Sequence, residues 1–300
     1  MTRRELLAAG MGAMVRPAAA QDRTKFQIGC MTLPYAPFPL ERALQGLAKA
    51  GCRYIGWGTT HMESSGQRVP VMGPDAPPSE AKQLARKCRD LGLEPVMMFN
   101  ITYVEAPDSI KVHTSRIEQA AAAGIPFIIT FGKVSPGGSG GYDVWIKNLK
   151  QLGSIARQNG VIITIKQHGG NTATGKDCSK IIADVADDGV KMCYDAGNVL
   201  DYQSVDPIPD IQACWRDIRS FAIKDHRNTP KDEDCGPGFG EIDHYKLLMP
   251  VMRSGLTIPL ICENIFEPLV RRPSSPDGVD ALARRAREYV ETVVRGLESV

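Results

Sequence analysis

The chain has 300 residues, of which 43% are apolar and 23% are charged, and its formal net charge at pH 7 is +2. These fractions are typical of a globular protein with a sizeable core. Because Lys and Arg are scattered along the chain, no basic surface indicates a nucleic acid or an anionic membrane as a partner.

The first 21 residues have the pattern of an export signal. Arg3 and Arg4 precede an apolar stretch rich in Ala and Gly, and small residues occupy positions 18–20. The arginine pair resembles that of a twin-arginine signal, and the apolar stretch is too short to span a bilayer. An irregular amphipathic helix is the alternative interpretation. We therefore expect a periplasmic or secreted protein, free of the membrane once the signal is removed, with residues 25–300 as its folded domain.

From residue 25 onward, short apolar segments alternate with longer amphipathic ones. The short segments are rich in Ile, Val, Phe and Met, as strands buried on both faces are. The predicted strands are Phe26–Met31, Tyr54–Trp57, Pro95–Phe99, Phe127–Phe131, Val161–His168, Val190–Asp195, Phe221–His226 and Ile258–Glu263. The predicted helices, several of them closed by a glycine, are Leu40–Ala50, Ser79–Leu91, Asp108–Ala123, Trp145–Gln158, Lys176–Asp188, Asp210–Ile218, Asp243–Ser254 and Asp277–Leu297.

Eight strand–helix units of this kind predict an α/β fold, a single-domain (β/α)8 TIM barrel. A doubly wound sheet is the alternative. The stretches 58–78, 134–141 and 228–240 are rich in Gly, Pro and Ser, and each follows a strand. They should therefore lie on the C-terminal rim, where barrel proteins build their sites.

The eight cysteines form no CxxC pair and no short cluster. Three of them, Cys30, Cys193 and Cys262, fall inside or at the ends of predicted strands, where a thiol behaves as a small apolar side chain. We therefore predict free structural thiols and no disulfide framework.

Polar side chains at the ends of the last four strands should converge on one mouth of the barrel; they are Lys166, His168, Asp195, Lys224, His226 and Glu263. Side chains two positions apart share a face, so Lys166 and His168 point the same way. A lysine facing the helical layer would be costly, so this face should be the barrel interior. Two carboxylates and two imidazoles predict a divalent-metal site made by His168, Asp195, His226 and Glu263.

Four segments carry a resemblance to one family. They are Asp195-Ala196-Gly197-Asn198, Ile223-Lys224-Asp225, Gly238-Phe239-Gly240-Glu241-Ile242-Asp243 and the strand-eight Glu263. In this order and spacing they resemble motifs of the xylose isomerase-like superfamily, which includes sugar-phosphate isomerases and epimerases, ketose 3-epimerases and inosose dehydratase. The similarity covers residues 25–297.

The resemblance implies a small-molecule sugar substrate and a divalent metal, Mn²⁺, Mg²⁺, Co²⁺ or Zn²⁺. It also implies proton abstraction next to a carbonyl, as in an isomerase or epimerase. On this hypothesis Glu263, Lys166 and Lys224 are catalytic residues. Glu263 is both ligand and base, and Lys166 stabilises the enediolate oxygen.

Two positions depart from the family pattern. Lys166 stands where the family usually has a metal-binding Glu, and Ala222 stands where it usually has a ligand His. Three interpretations stay open: a metal displaced toward the rim above Lys166, a weak or lost metal with Lys166 as the electrophile, or a carbohydrate-binding barrel without catalysis. The missing strand-five carboxylate also favours a lyase or dehydratase acting on a keto-sugar or glycoside. Schiff-base chemistry at Lys166 is a further alternative, since a desolvated lysine can act as a nucleophile.

Further candidates for substrate binding are His61, Trp57, Asn100 and Asn198. A solvated loop for His61, barrel-top packing for Trp57 and a turn role for Asn100 are the alternatives. His113 and His244 fall on predicted helices and are expected at the surface. An oligomer is compatible with the sequence.

Overall fold

Eight parallel strands close into a barrel in the computed structural model, which describes residues 22–132 and 141–299. The predicted export signal, and the 134–141 stretch apart from Gly141, lie outside the described residues. Within that part of the chain no helix is long and apolar enough to cross a membrane. The predicted (β/α)8 barrel is confirmed.

The strands of the described residues include the eight of the barrel and two short rim hairpins. They are β1 (Lys25–Met31), β2 (Tyr54–Trp57), β3 (Thr60–Met62), β4 (Arg68–Pro70), β5 (Glu94–Phe99), β6 (Phe127–Thr130), β7 (Ile162–Lys166), β8 (Val190–Tyr194), β9 (Ile218–Ile223), β10 (Asp225–Arg227), β11 (Glu233–Cys235) and β12 (Thr257–Cys262). The order around the barrel is β1-β12-β9-β8-β7-β6-β5-β2. All eight predicted barrel strands are present.

The α-helices of the described residues surround the barrel. They are α1 (Leu40–Lys49), α2 (Pro78–Asp90), α3 (Ser109–Ala123), α4 (Tyr142–Gln158), α5 (Gly175–Val185), α6 (Ala196–Gln203), α7 (Pro207–Cys214), α8 (His244–Leu248) and α9 (Pro276–Glu298). Helix α6 was not predicted. The helix expected to reach Ser254 stops at Leu248 and continues as a 3-10 turn containing Pro250, because proline has no backbone N–H for the next helical hydrogen bond.

Two apolar clusters divide the interior of the protein. The larger lies between strands and helices and contains Ile163 and Ile165 of β7. The smaller contains Met97, Phe127 and Ala222. Because neighbouring side chains on a strand alternate, the smaller cluster is the barrel interior, and Lys166 faces the same way. The C-terminal end of that interior is polar, since Lys166 and Asp195 are buried there.

The hairpin of β10 and β11 places the residues that follow β9. It pairs antiparallel, with His226 opposite Asp234. Strand β9 itself ends at Ile223, three residues before the predicted end. The hairpin therefore carries His226 out onto the rim instead of along the barrel wall.

Candidate active site

Lys166 joins two carboxylates at the C-terminal mouth of the barrel. Its Nζ donates to Asp195 Oδ2 at 2.9 Å and to Glu263 Oε1 and Oε2 at 2.9 and 2.7 Å. The Lys166 and Asp195 side chains are 2% and 0% exposed, and that of Glu263 is 14% exposed. The ammonium thus neutralises a buried carboxylate and a partly open one at the ends of β8 and β12.

The charges of this group are mutually stabilised. Burial opposes the charge of Lys166, but Asp195 and Glu263 outweigh it and raise the pKa of the amine. Burial likewise opposes ionisation of Asp195, yet Lys166 and Lys224 hold its pKa below the usual range. Lys166 is therefore an ammonium at neutral pH. Without a lone pair it cannot attack a carbonyl, which disfavours the Schiff-base alternative.

Local structure explains why Asp195 stands at this point. It follows β8 directly and caps α6, with Oδ1 accepting from the Asn198 N–H at 3.0 Å. Its own N–H donates to Gln167 Oε1 at 2.8 Å. The two oxygens of Asp195 are thus divided between a helix cap and Lys166, so the carboxylate has little freedom to rotate.

Lys224 is the second buried lysine of the mouth. Its Nζ donates to Asn198 Oδ1 and to Asp234 Oδ2, the latter at 2.5 Å. Burial opposes its charge, but Asp195, Glu263 and Asp234 together raise its pKa. Asn198 in turn donates to the Gln167 carbonyl at 2.6 Å. Asn198, predicted to bind substrate, thus has both ends of its amide engaged, the oxygen with Lys224 and the nitrogen with the Gln167 carbonyl.

These contacts form a continuous polar chain across the ends of the last four barrel strands. Its members in order are Glu263, Lys166, Asp195, Asn198, Lys224, Asp234 and His226. At its far end, His226 Nδ1 lies 3.1 Å from Asp234 Oδ1, and His226 Nε2 lies 3.3 Å from Asp232 Oδ1. The chain links residues from four strand ends into one charged network.

The glycine-containing stretch 238–242 is held beside this network by Asp225. The buried carboxylate accepts from the Gly238 N–H at 3.0 Å and from the Ile242 N–H at 3.1 Å. A Cβ on Gly240 would lie 2.3 Å from Asp225 Oδ1 and from the His226 carbonyl. The two sequence motifs at 223–225 and 238–243 are thus one structural unit, which requires glycine at its closest approach.

A pocket opens at the mouth beside the polar chain. Its lining includes Lys224, Asp234 and Glu263, together with Leu33, Pro34, Asn264, Phe266 and Arg272. The Arg272 guanidinium lies 4.3 Å from the Phe266 ring centroid. A small polar ligand in this pocket would meet an ammonium and a carboxylate at once.

The other predicted substrate residues lie elsewhere. Trp57 packs in the layer between barrel and helices and, with Asn100, lines a separate pocket beyond β2 and β5. The Asn100 Nδ2 is buried without a hydrogen-bond partner among the described residues. His61 is fully buried in the β3–β4 hairpin, where its Nδ1 lies 3.0 Å from the Phe38 carbonyl. Burial lowers the pKa of His61.

His113 and His244 were expected at the surface, and this was wrong. They are 1% and 2% exposed. His113 Nε2 lies 2.8 Å from the Thr130 hydroxyl of β6, and His244 Nε2 lies 3.2 Å from the Lys224 carbonyl. Each ring lies on the inner face of its helix, where these hydrogen bonds make burial of a polar side chain tolerable.

The divalent metal implied at the barrel axis does not fit the side chains there. The Lys166 ammonium lies within hydrogen-bond distance of both axial carboxylates, at the place that a cation between them would need. Position 222 on β9 is an alanine, which has no ligand atom. Among the described residues, no three of the predicted ligands bring ligand atoms within 4.8 Å of one another; these ligands are His168, Asp195, His226 and Glu263. His168 instead packs on Phe131, with ring centroids 4.4 Å apart.

Three residues of the rim were missed by the sequence reasoning: Asp201, Asp232 and Asp234. Asp201 lies on α6, and the other two lie in the β10–β11 hairpin region. The available signal was the acidic run Asp232-Glu233-Asp234 inside a stretch already expected on the rim.

The chain matches a family model described as xylose isomerase-like TIM barrel over residues 44–289. It is similar to three solved structures at 16% identity, and at that level the likeness shows the fold alone. For an IOLI protein with a bound zinc atom, the TM-score is 0.70, with 91% of this chain and 99% of that chain covered. For L-ribulose 3-epimerase the values are 0.69, 91% and 95%. For a xylose isomerase-like barrel of Mycobacterium smegmatis in complex with magnesium they are 0.67, 94% and 99%. A search of curated proteins found no match.

Proposed function

Because this chain belongs to the xylose isomerase-like TIM barrel family, we propose that it is a sugar-active enzyme of the isomerase or epimerase kind. It removes a proton from the carbon next to a carbonyl. The observation that carries the proposal is the pocket wall shared by Glu263 and Lys224. Proton abstraction from such a carbon needs a base beside a group that stabilises negative charge on oxygen, and this pair supplies both.

Each residue has a distinct role in the proposed step. The Glu263 carboxylate takes the proton and becomes a carboxylic acid. The Lys224 ammonium donates a hydrogen bond to the substrate oxygen on which the charge develops. Lys166 is a positioning residue, because its N–H groups already point at Asp195 and Glu263. Return of the proton to the former carbonyl carbon gives an isomer, as the hydroxyl proton passes to the former carbonyl oxygen. An epimer instead needs a proton from the opposite face, which a water molecule has to supply while Glu263 keeps the proton it took and later releases it to solvent.

Elimination is a second candidate, and the identity of residue 166 favours it. An epimerase with two facing carboxylates would use one on each face of the substrate, but β7 contributes Lys166. With Glu263 as the acid–base group, the proton it takes can pass to a β-hydroxyl as that group leaves. The product is then an unsaturated keto-sugar and water.

The test is solvent-proton exchange followed by NMR. The purified chain is incubated in D₂O with a panel of aldoses, ketoses and 3-keto-sugars, and deuterium entry at the carbon next to the carbonyl is measured. Glu263→Gln should lower kcat by about 100-fold to 10,000-fold, the usual contribution of a general base. Glu267→Gln, at an exposed position four residues later, is the matched control and should leave the rate unchanged.

The outcomes separate the alternatives. Exchange with loss of water identifies the elimination reaction, and exchange without it identifies the isomerase or epimerase. Saturable sugar binding with no exchange in any member of the panel would reject the enzyme in favour of a carbohydrate-binding barrel. Equal rates in Glu263→Gln and the unmodified chain would reject Glu263 as the base.

A further inference from the structure

A second polar cluster lies on the rim, and none of its members lines the pocket that contains Glu263. It consists of Asp201 of α6, His226 of β10 and Asp232, which precedes β11. One ligand atom of each residue lies within 4.8 Å of one from each of the others. We call these three residues the rim triad. Asp201 is half-buried, His226 is buried and Asp232 is exposed, so the triad is open to solvent on one side.

The orientation of His226 aims one ring nitrogen into the triad. Its side chain is 1% exposed, and Nδ1 lies 3.1 Å from Asp234 Oδ1. Asp234 is itself held by Lys224. A carboxylate that accepts from Nδ1–H fixes the tautomer and leaves a lone pair on Nε2, as in metal sites where an imidazole is held by a carboxylate.

The Nε2 atom has no hydrogen-bond partner among the described residues, although its surroundings are acidic. It lies 3.3 Å from Asp232 Oδ1. Two ligands of one tetrahedral Zn²⁺, each bonded at about 2.0–2.1 Å, stand about 3.3 Å apart. The lone pair and the carboxylate oxygen thus have the separation of two ligands that share one cation.

The negative charge of the two carboxylates in the triad is not balanced by a neighbouring lysine or arginine among the described residues. In that part of the chain, neither Asp201 nor Asp232 forms an ion pair with a lysine or an arginine, and Asp232 pairs only with His226. On the same hairpin, Lys231 pairs with Glu233 at 2.9 Å. Arg227 donates to the Thr229 carbonyl at 2.7 Å. These neighbouring cations are already engaged, so a bound cation would relieve the repulsion among the carboxylates.

From this geometry we propose that Asp201, His226 and Asp232 bind one divalent cation of the Zn²⁺ or Mn²⁺ type. One imidazole and two carboxylates suit ions of that borderline character. Three protein ligands leave coordination positions for water or for sugar hydroxyls at the rim. The site is separate from the Lys166 group, and it stands whether or not the proposed reaction is correct.

The experiment measures metal binding directly. The full chain without an affinity tag is stripped with a chelator and titrated with Mn²⁺ by electron paramagnetic resonance and with Zn²⁺ by calorimetry. We expect one ion per chain, with Zn²⁺ displacing Mn²⁺. Asp232→Asn and Asp201→Asn should each weaken binding by about 10-fold or more, as loss of groups that build a metal site does. Asp90→Asn, an exposed charge-matched control at the end of α2, should bind as the unmodified chain does.

Asp232 is 70% exposed, so its substitution leaves the folded barrel intact for the comparison. Absence of stoichiometric binding in the unmodified chain overturns the proposal, as does unchanged affinity in both triad variants. Loss of binding in Asp195→Asn but not in Asp232→Asn would place the ion at the barrel axis and also reject the rim triad. Because the readout is binding, its failure is distinct from a failure to turn over sugars.

Discussion

Lys166 shows how one side chain changes the chemistry available at a barrel mouth. Its ammonium is buried between two carboxylates, at hydrogen-bond distance from each. A buried charge of this kind is tolerated because ion pairs and hydrogen bonds with its partners replace most of the favourable interaction with water that burial removes. The lysine therefore stabilises Asp195 and Glu263 as ions without an added cation.

A carboxylate in place of the Lys166 ammonium should make the stability of the barrel depend on a bound divalent metal. We predict that Lys166→Glu, made together with Asp232→Asn to remove binding at the rim, loses about 3–5 kcal/mol of unfolding free energy in chelator. The reason is that three carboxylates would then face one another on the barrel axis. Added Mn²⁺ should recover much of the loss. The measurement is chemical denaturation with and without the ion.

The control is Lys166→Met in the same background. It removes the ammonium without adding a ligand, so Mn²⁺ should stabilise it much less than the charge-reversed variant. An equal response of the two variants to Mn²⁺, or none in either, would show that the axial carboxylates do not meet closely enough to share a cation.

Only part of the candidate site could be derived from residue order. Strand alternation predicted that Lys166 faces the barrel interior, because the pleat fixes that direction. The reach of its side chain to Asp195 and Glu263 depends on packing across three strands, which periodicity does not encode. Asp201 and Asp232 were missed because they lie on a short helix and beside a three-residue strand. The polar sequences around these two residues have no periodic pattern of apolar residues that would have indicated the helix or the strand.

The strands of the barrel were the most predictable elements. Buried parallel strands are continuous apolar runs, and all eight runs proved to be barrel strands. Asp225 and His226, which begin the β10–β11 hairpin, were predicted as the end of the barrel strand that starts at Phe221. That prediction placed His226 on the barrel wall near Asp195. Turning the chain back after Ile223 moves the imidazole to Asp232 and Asp234 instead. The residue at which β9 ends therefore determines which carboxylates lie beside His226.

The contact between α3 and β6 predicts that the unfolding free energy of the protein depends on pH. His113 Nδ1–H donates to the Ser109 carbonyl at 2.8 Å, and Nε2 accepts from the Thr130 hydroxyl at 2.8 Å. Burial lowers the pKa of His113 to about 4. The unfolded chain, whose histidine pKa is about 6.5, binds the proton first as pH falls. The contribution of His113 to the unfolding free energy is therefore complete above pH ~6.5. It should decline as the pH falls to ~4, by at most about 3 kcal/mol.

Two measurements check this contact. Denaturation between pH 7 and pH 4 gives the loss of unfolding free energy, to which the lowered pKa values of His61 and His244 contribute with the same sign. NMR titration of the His113 ring, assigned with His113→Gln, isolates its own part. A ring that titrates near pH 6.5 in the folded protein would contradict the buried neutral state.

The stability of the entire barrel rests on packing without covalent cross-links. The eight cysteines are free and buried, which confirms the interpretation drawn from their spacing. Burial raises the pKa of Cys88 to about 11 and that of Cys193 to about 12. The thiolate is the reactive form of cysteine, so these thiols should be inert while the barrel is closed.

This low reactivity of the buried thiols gives a prediction for all eight cysteines together. A thiol-specific disulfide reagent should react with few or none of the cysteines in the folded protein, and with all eight after denaturation. A reductant should leave the unfolding midpoint unchanged, because no disulfide constrains the unfolded chain. Fewer than eight reactive thiols in denaturant, or a midpoint that falls with reductant, would reveal a cross-link and contradict the eight free thiols. Rapid labelling of the folded protein would instead show that the structure opens locally around the labelled cysteine, on the timescale of the reaction.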